Sequence, residues 1–202
     1  MALKAVFFDV GETLVDEERW WRVVAERSGL QPHVVWAALG VTIERGEEHS
    51  ELWRHLGRSR PEGLADVSYE LGDLYPDAMR CLEVLRARGY VVGLAGNQSP
   101  ILERWTRNVG LPVDVIGSSA SWGVRKPAPR FFERMVAEAG CEAEELAYVG
   151  DRVDNDVLPA LDAGIVAVHL RRGPWGRLQQ TPAEATAIDS LDELPQALAS
   201  LS

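Results

Sequence analysis

The sequence of 202 residues predicts an α/β fold: a doubly wound parallel sheet with a Rossmann-like core and a small helical cap. Three observations predict it. Short runs that are apolar throughout, rather than alternating, recur along the chain, as strands buried on both faces require. From residue 90 onward these runs alternate with amphipathic helical patterns, which is how parallel strands joined by crossovers read. Residues 16–73, by contrast, hold helical patterns and no strand, and they are too long for an ordinary connection.

In chain order, "LKAVFFDV" (3–10) is the first strand. "DEERWWRVVAERSG" (16–29) is a helix capped by Asp16 and stopped by Gly29. "PHVVWAALGVTIERG" (32–46) starts a second helix on Pro32, and "SELWRHLG" (50–57) is a shorter third. "PDAMRCLEVLRARG" (76–89) is the crossover helix back to the sheet, followed by the strand "YVVGLA" (90–95). Ser99 and Pro100 then cap and open a helix to about Val109. "VDVIG" (113–117) is a strand, and "APRFFERMVAEAG" (128–140) is a helix with Phe131, Phe132, Met135, Val136 and Ala139 on one side. "LAYVG" (146–150), a helix through "VLPALDAG" and the strand "IVAVHL" (165–170) complete the pattern. The expected division is a core of residues 1–15 and 74–202 with a cap of residues 16–73.

With 46% hydrophobic residues the chain has ample core material, and its net charge of -10 with no basic stretch argues against a nucleic-acid binder. Nineteen basic residues are Arg and only two, Lys4 and Lys126, are Lys, so a lysine deep in the chain asks for a local reason. Cys81 and Cys141 lie far apart without metal-ligand spacing and read as small buried hydrophobes of a reducing compartment. No signal peptide and no run long enough to span a bilayer is recognisable, so no membrane partner and a cytoplasmic location are expected. The oligomeric state is not legible.

In open parallel sheets, ligands bind beyond the carboxyl ends of the strands, where strand order reverses. The residues to inspect are therefore Asp9, Gly96-Asn97, Ser118-Ser119 and Gly150-Asp151. Asp9 and Asp151 each follow an apolar strand directly, and "GDRVDND" adds Asp154 and Asp156. Two strand-end carboxylates brought together repel unless a divalent cation sits between them. Mg²⁺ takes oxygen ligands, keeps waters, and is usually held by one or two carboxylates plus a substrate phosphate. Lys126, in "GVRKPAPRFF", would balance a site crowded by carboxylates and phosphate.

These residues carry a resemblance. "DVGETL" (9–14), "GLAGNQ" (93–98), "RKPAPRFF" (125–132) and "GDRVDND" (150–156) resemble, in order, the four motifs of the haloacid dehalogenase-like (HAD) hydrolase superfamily. "RRGPWG" (171–176) and "IDSLDELPQAL" are similar to the tails of bacterial phosphatase-like members, and the helical insert stands where that family places its cap. The resemblance implies a phosphatase or phosphotransferase acting on a small phosphorylated metabolite. Asp9 would be the nucleophile forming an aspartyl-phosphate, and Lys126 would neutralise it. Mg²⁺ would be held by Asp9, the Gly11 carbonyl and Asp151, with Asp156 in support. The Val10 and Gly11 amides, Asn97 and Lys126 would bind phosphate.

Two positions depart from the family. Most of its phosphatases carry, two residues after the nucleophile, an aspartate that protonates the leaving alcohol and then activates water; here Gly11 stands there. Acid–base help of this kind contributes about 10²–10⁴ in rate, so slow turnover of alkyl phosphates is expected. Glu12 could substitute, although successive residues leaving a strand face opposite ways, and the reading adopted turns it away. The usual Ser or Thr of the second motif falls at Gly96, and Ser99 reads as a helix cap. Two other readings stay open: a non-catalytic protein holding Mg²⁺ and a phospho-ligand, and a haloacid dehalogenase using Arg19, Arg22, Trp20 and Trp21. Trp20 and Trp21 are the candidates to face substrate, with most cap tryptophans expected in the cap's own core. Asp154 reads as a helix-start acid, and His33, His49, His55 and His169 have no ligand spacing. "RRGPWG" is sufficiently explained as a turn.

Overall fold

The computed structural model describes residues 2–201, Ala65 through its backbone alone. In chain order the elements are β1 (Ala5–Phe8), α1 (Glu18–Arg27), α2 (Pro32–Glu44), α3 (Leu52–His55), α4 (Ala78–Ala87), β2 (Val91–Gly96), α5 (Pro100–Asn108), β3 (Val115–Ser118) and α6 (Ser119–Trp122). α7 (Pro129–Ala139), β4 (Leu146–Gly150), α8 (Leu158–Asp162), β5 (Val166–Leu170), α9 (Gly173–Leu178), β6 (Thr186–Ile188) and α10 (Leu194–Ser200) complete the chain.

The six strands form one sheet in the order β3-β2-β1-β4-β5-β6, and every pairing is parallel. β1 is central, and side chains along it alternate between two cores. Val6 and Phe8 pack with Leu82, Leu85, Leu194 and Leu198 on one face, whereas Ala5 and Phe7 pack with Phe131, Phe132 and Met135 on the other. Each such large apolar side chain contributes on the order of 1.5–3 kcal/mol when buried. Cys81 joins the first core and Cys141 is half-buried; both are free thiols.

Three expectations are adjusted. The first strand is shorter than 3–10, because Asp9 and Val10 already belong to the turn that follows. The edge strand β6 was not expected, since its three residues carry too little pattern. "RRGPWG" is more than a turn: it opens α9, whose Trp175 is buried among Trp21, Val24, Leu39 and Trp53 of the helical insert. Ser99 does cap α5, accepting from the Leu102 amide at 3.3 Å.

The insert leaves and rejoins the sheet side by side. Val15 pairs antiparallel with Leu74, the Asp16 amide donates to Asp73 at 2.7 Å, and the Tyr75 amide donates to Leu14 at 2.9 Å. Arg172 fastens this junction by donating to the Thr13 carbonyl (3.1 Å) and to Asp77, while it stacks on the Tyr75 ring. Among the described residues, no helix is long and apolar enough to cross a membrane.

Candidate active site

Strand order reverses at β1: the chain builds β2 and β3 on one side of it, then crosses to β4 on the other. Asp9 and Asp151 therefore leave adjacent strand ends, and the Asp9 amide donates to Val149 at 2.9 Å. Lys126 enters from the loop before α7 and is buried among them. Its Nζ donates to Asp9 Oδ1 at 2.8 Å, to Asp156 Oδ1 at 2.6 Å and to the Tyr148 hydroxyl at 2.9 Å. Tyr148 in turn donates to the Ala95 carbonyl at 2.7 Å, which fixes that hydroxyl as an acceptor for the lysine. Burial acts to lower the Lys126 pKa, but Asp156 and Asp9 outweigh it and hold it above its ordinary value.

Asn97 locks the lysine's backbone: its carboxamide donates to the Lys126 carbonyl (3.0 Å) and accepts from the Lys126 amide (2.9 Å). One amide hydrogen of that side chain remains for a ligand. The Val10 and Gly11 amides donate to no protein acceptor among the described residues.

Both departures from the expected motifs have a steric reason. A Cβ at position 96 would lie 2.7 Å from Asp9 Oδ1, so the nucleophile candidate itself fills the space of the missing Ser or Thr. A Cβ at position 11 would lie 2.6 Å from Glu17 Oε1, so a carboxyl from the start of the insert stands where a side chain of residue 11 would point. The chain reaches it through Glu12, whose φ of 51° is left-handed, a strained conformation for a residue with a side chain. Glu12 is itself buried and accepts from Tyr75 (2.7 Å) and from the Glu17 amide (3.3 Å), which engages it beneath the insert's junction while it still borders the cavity. Burial pushes the Glu12 carboxyl up to about 7 and, with Glu12 beside it, the Glu17 carboxyl up to about 8. The Tyr69 hydroxyl donates to Glu17 Oε1, and Glu17 Oε2 has no hydrogen-bond partner among the described residues.

A cavity of about 1060 Å³ opens over these groups and is bordered by Asp9, Glu17, Lys126 and Asp151. Trp20, Trp21 and Trp175 line it. Trp21 is at once part of the insert's apolar core, whereas Trp20 packs against that core. Arg60, Arg125 and Arg152 also border it around His49; burial first, then these cations, lower the His49 pKa. Arg19 is tied to Asp73 at 2.5 Å and Arg22 to Glu18 at 2.6 Å, and neither borders the cavity. Asp154 is exposed and engaged with Arg152 and Gln179.

The haloacid dehalogenase-like hydrolase family profile matches residues 3–164. The chain belongs to this family. Among its curated relatives is a glyceraldehyde 3-phosphate phosphatase of Methanocaldococcus jannaschii, 26% identical over 95% of each chain. A HAD phosphatase from Thermococcus onnurineus superposes with a TM-score of 0.65 at 23% identity, covering 97% of this chain and 98% of the other. A HAD-hydrolase from Bacillus subtilis bound to magnesium gives 0.72 at 17% identity, covering 98% and 99%. The six-stranded core is thus that of a HAD hydrolase.

Hydrolases of this family generally use a divalent metal, and the acidic groups here fit one. Ligand atoms of Asp9, Asp151 and Asp156 lie within 4.8 Å of one another. The Asp151 carboxylate is only 2% exposed, and no described residue donates to it. Burial, then Asp156 and Asp9, push its pKa well up, so a nearby divalent cation would favour its charged form. Burial also raises Asp156 to about 6 against the pull of Lys126. The Gly11 carbonyl accepts no hydrogen bond from a described residue and can serve as a further oxygen ligand.

Sequence reasoning missed several residues around the site. His169 Nε2 lies 3.1 Å from the Asp151 carbonyl and its Nδ1 lies 2.6 Å from Thr181 Oγ1, which steadies the Asp151 turn. Tyr148 lay inside the apolar strand "LAYVG" and Trp175 inside the stretch that reads as a turn. Glu17 directly follows the Asp16 cap, at a helix start where acids are common, and carries no signal that singles it out.

Proposed function

We propose that the protein is a Mg²⁺-dependent phosphatase of a small phosphorylated metabolite, working through an aspartyl-phosphate on Asp9. The observation that carries this reading is the meeting of Asp9, Asp151 and Asp156 at the strand-order reversal, with a buried lysine paired to the first and the last of them. The phosphatase relatives support the reaction class, and the triose phosphate named for them is the first substrate to try. The cytosol, with its small phosphorylated metabolites and its reducing conditions, suits that reading and the two free cysteines.

In this reading Asp9 Oδ attacks phosphorus as the bond to the leaving oxygen breaks, and water later cleaves the acyl phosphate. Lys126 holds the attacking carboxylate and faces the phosphoryl oxygens, and its hydrogen bonds to Tyr148 and Asp156 fix it there. The unpaired Val10 and Gly11 amides and the remaining Asn97 N–H take phosphate oxygens. Asp9, Asp151 and the Gly11 carbonyl would hold Mg²⁺, Asp156 supporting them; when bound, the metal supplies charge neutralisation for carboxylates and phosphate. Gly11 by itself implies slow turnover of alkyl phosphates, unless another group supplies the proton. The dehalogenase reading loses Arg19 and Arg22, which are paired with Asp73 and Glu18 and do not border the cavity.

A panel of phosphomonoesters, with and without Mg²⁺, tests the proposal. Turnover that needs Mg²⁺ and falls by about 10⁴ or more in Asp9→Asn supports it. Tight Mg²⁺ and phosphate binding without turnover would instead favour a non-catalytic phospho-ligand-binding protein.

A further inference from the structure

We infer that Glu17, from the first turn of the helical insert, is the proton-transferring acid and base that position 11 lacks. The inference rests on the phosphatase reading and deepens it. Its ground is geometry: the space a side chain of residue 11 would enter is filled by the Glu17 carboxyl, with Oε1 2.6 Å and the carboxyl carbon 2.9 Å from the Cβ position. Glu17 borders the same cavity as Asp9 and Lys126. Its orientation is set rather than incidental. Tyr69 donates to Oε1, the left-handed turn at Glu12 brings the chain back over Gly11, and the pairing of Val15 with Leu74 holds that return in place. Among the described residues Oε2 takes part in no hydrogen bond, so one oxygen is anchored and the other is free to exchange a proton with a ligand.

The same placement explains why position 11 is glycine. A carboxyl cannot approach from the insert while a Cβ occupies its place, so the two arrangements exclude each other. Here the group has moved from the sheet end to the insert, within one cavity.

Both half-reactions balance. In the first, Asp9 Oδ forms a bond to phosphorus, the bond to the leaving oxygen breaks, and the Glu17 carboxylic proton passes to that oxygen. In the second, the Glu17 carboxylate takes a proton from water as the water oxygen bonds to phosphorus. The bond to Asp9 then breaks, releasing phosphate and restoring both side chains. Glu12 is the less suitable group, because both of its oxygens are already engaged, one by Tyr75 and the other by the Glu17 amide.

The test uses Glu17→Gln, which keeps the shape and the acceptor for Tyr69. With glycerol 3-phosphate, turnover should fall by about 10²–10⁴. With 4-nitrophenyl phosphate, whose leaving group needs no proton, the first turnover should persist at near the wild-type rate. A slow steady state should follow, with phosphorylated protein accumulating by intact mass. Gly11→Asp in a Glu17→Ala background supplies the rescue: it should recover glycerol 3-phosphate turnover by about tenfold or more over Glu17→Ala alone. Equal losses on both substrates with no phosphorylated intermediate, or no loss on either, would overturn the assignment while leaving the phosphatase reading intact. Turnover that survives Asp9→Asn would overturn that reading and this one together.

Discussion

Two acidic regions face each other across the cavity, and they neutralise their charge by different means. At the strand ends, Asp9 and Asp156 share one buried cation, Lys126, and Asp151 beside them adds a surplus of negative charge that a divalent cation can satisfy. At the foot of the insert, Glu12 and Glu17 have no lysine or arginine in hydrogen-bond contact among the described residues; tyrosines hold them, and burial pushes their carboxyls up to about 7 and about 8. The first region balances fixed charge with fixed charge. The second balances it with protons, which suits a group that must give one up and take it back.

The contrast breaks first at Lys126. Lys126→Met leaves Asp9 and Asp156 buried without their cation, and such a loss costs about 3–5 kcal/mol. Urea unfolding of the metal-free variant should show that loss, together with loss of turnover. Unchanged stability would mean that the strand-end carboxylates are balanced some other way.

A smaller effect is expected at Asp151. Removing its buried, donor-free charge should leave the metal-free Asp151→Asn protein at least as stable as the wild type, while abolishing stabilisation by Mg²⁺. In the wild type, Mg²⁺ at a hundred times its Kd should add about 2.7 kcal/mol, read as a rise in Tm. A rise of equal size in Asp151→Asn would place the metal elsewhere.

The smallest expected effect sharpens the second region. Raised carboxyl pKa values mean that the folded state holds protons the unfolded chain has released. The contribution of Glu12 and Glu17 to stability therefore falls as pH climbs from about 5 to about 8. Asp9 and Asp16 face the same pair and add to the cost of charging it, whereas the Tyr69 and Tyr75 hydroxyls and Arg172 offset part of that cost. Glu17→Gln, measured metal-free in chelator, should flatten that fall relative to the wild type. An identical slope in both proteins would show that Glu17 is already ionised.

The sheet and the strand-end site were legible because both depend on local pattern. An apolar run ending in "FFDV" or "AYVGD" declares a strand and its carboxylate together, and one of only two lysines announces itself. What was hidden depends on the path of the chain in space. Glu17 sits in the run Asp16-Glu17-Glu18, where helix-start chemistry explains any acid, and only the left-handed turn at Glu12 carries it over Gly11. Trp175 lies in a Gly- and Pro-rich stretch that reads as a turn, although it docks the core onto the insert. Asn97 was legible as a site residue, yet its partner, the Lys126 backbone, was not, because they lie far apart in sequence. β6 is too short to carry a period of two.

The most direct measurement is diffraction from crystals soaked with Mn²⁺ and beryllofluoride, with Mn²⁺ located by its anomalous signal. The predicted result is one strong peak contacting Asp9, Asp151 and the Gly11 carbonyl, with beryllofluoride bonded to an Asp9 oxygen and Lys126 against its fluorines. A peak away from Asp151, or Asp9 left unmodified at saturating ligand, would contradict it.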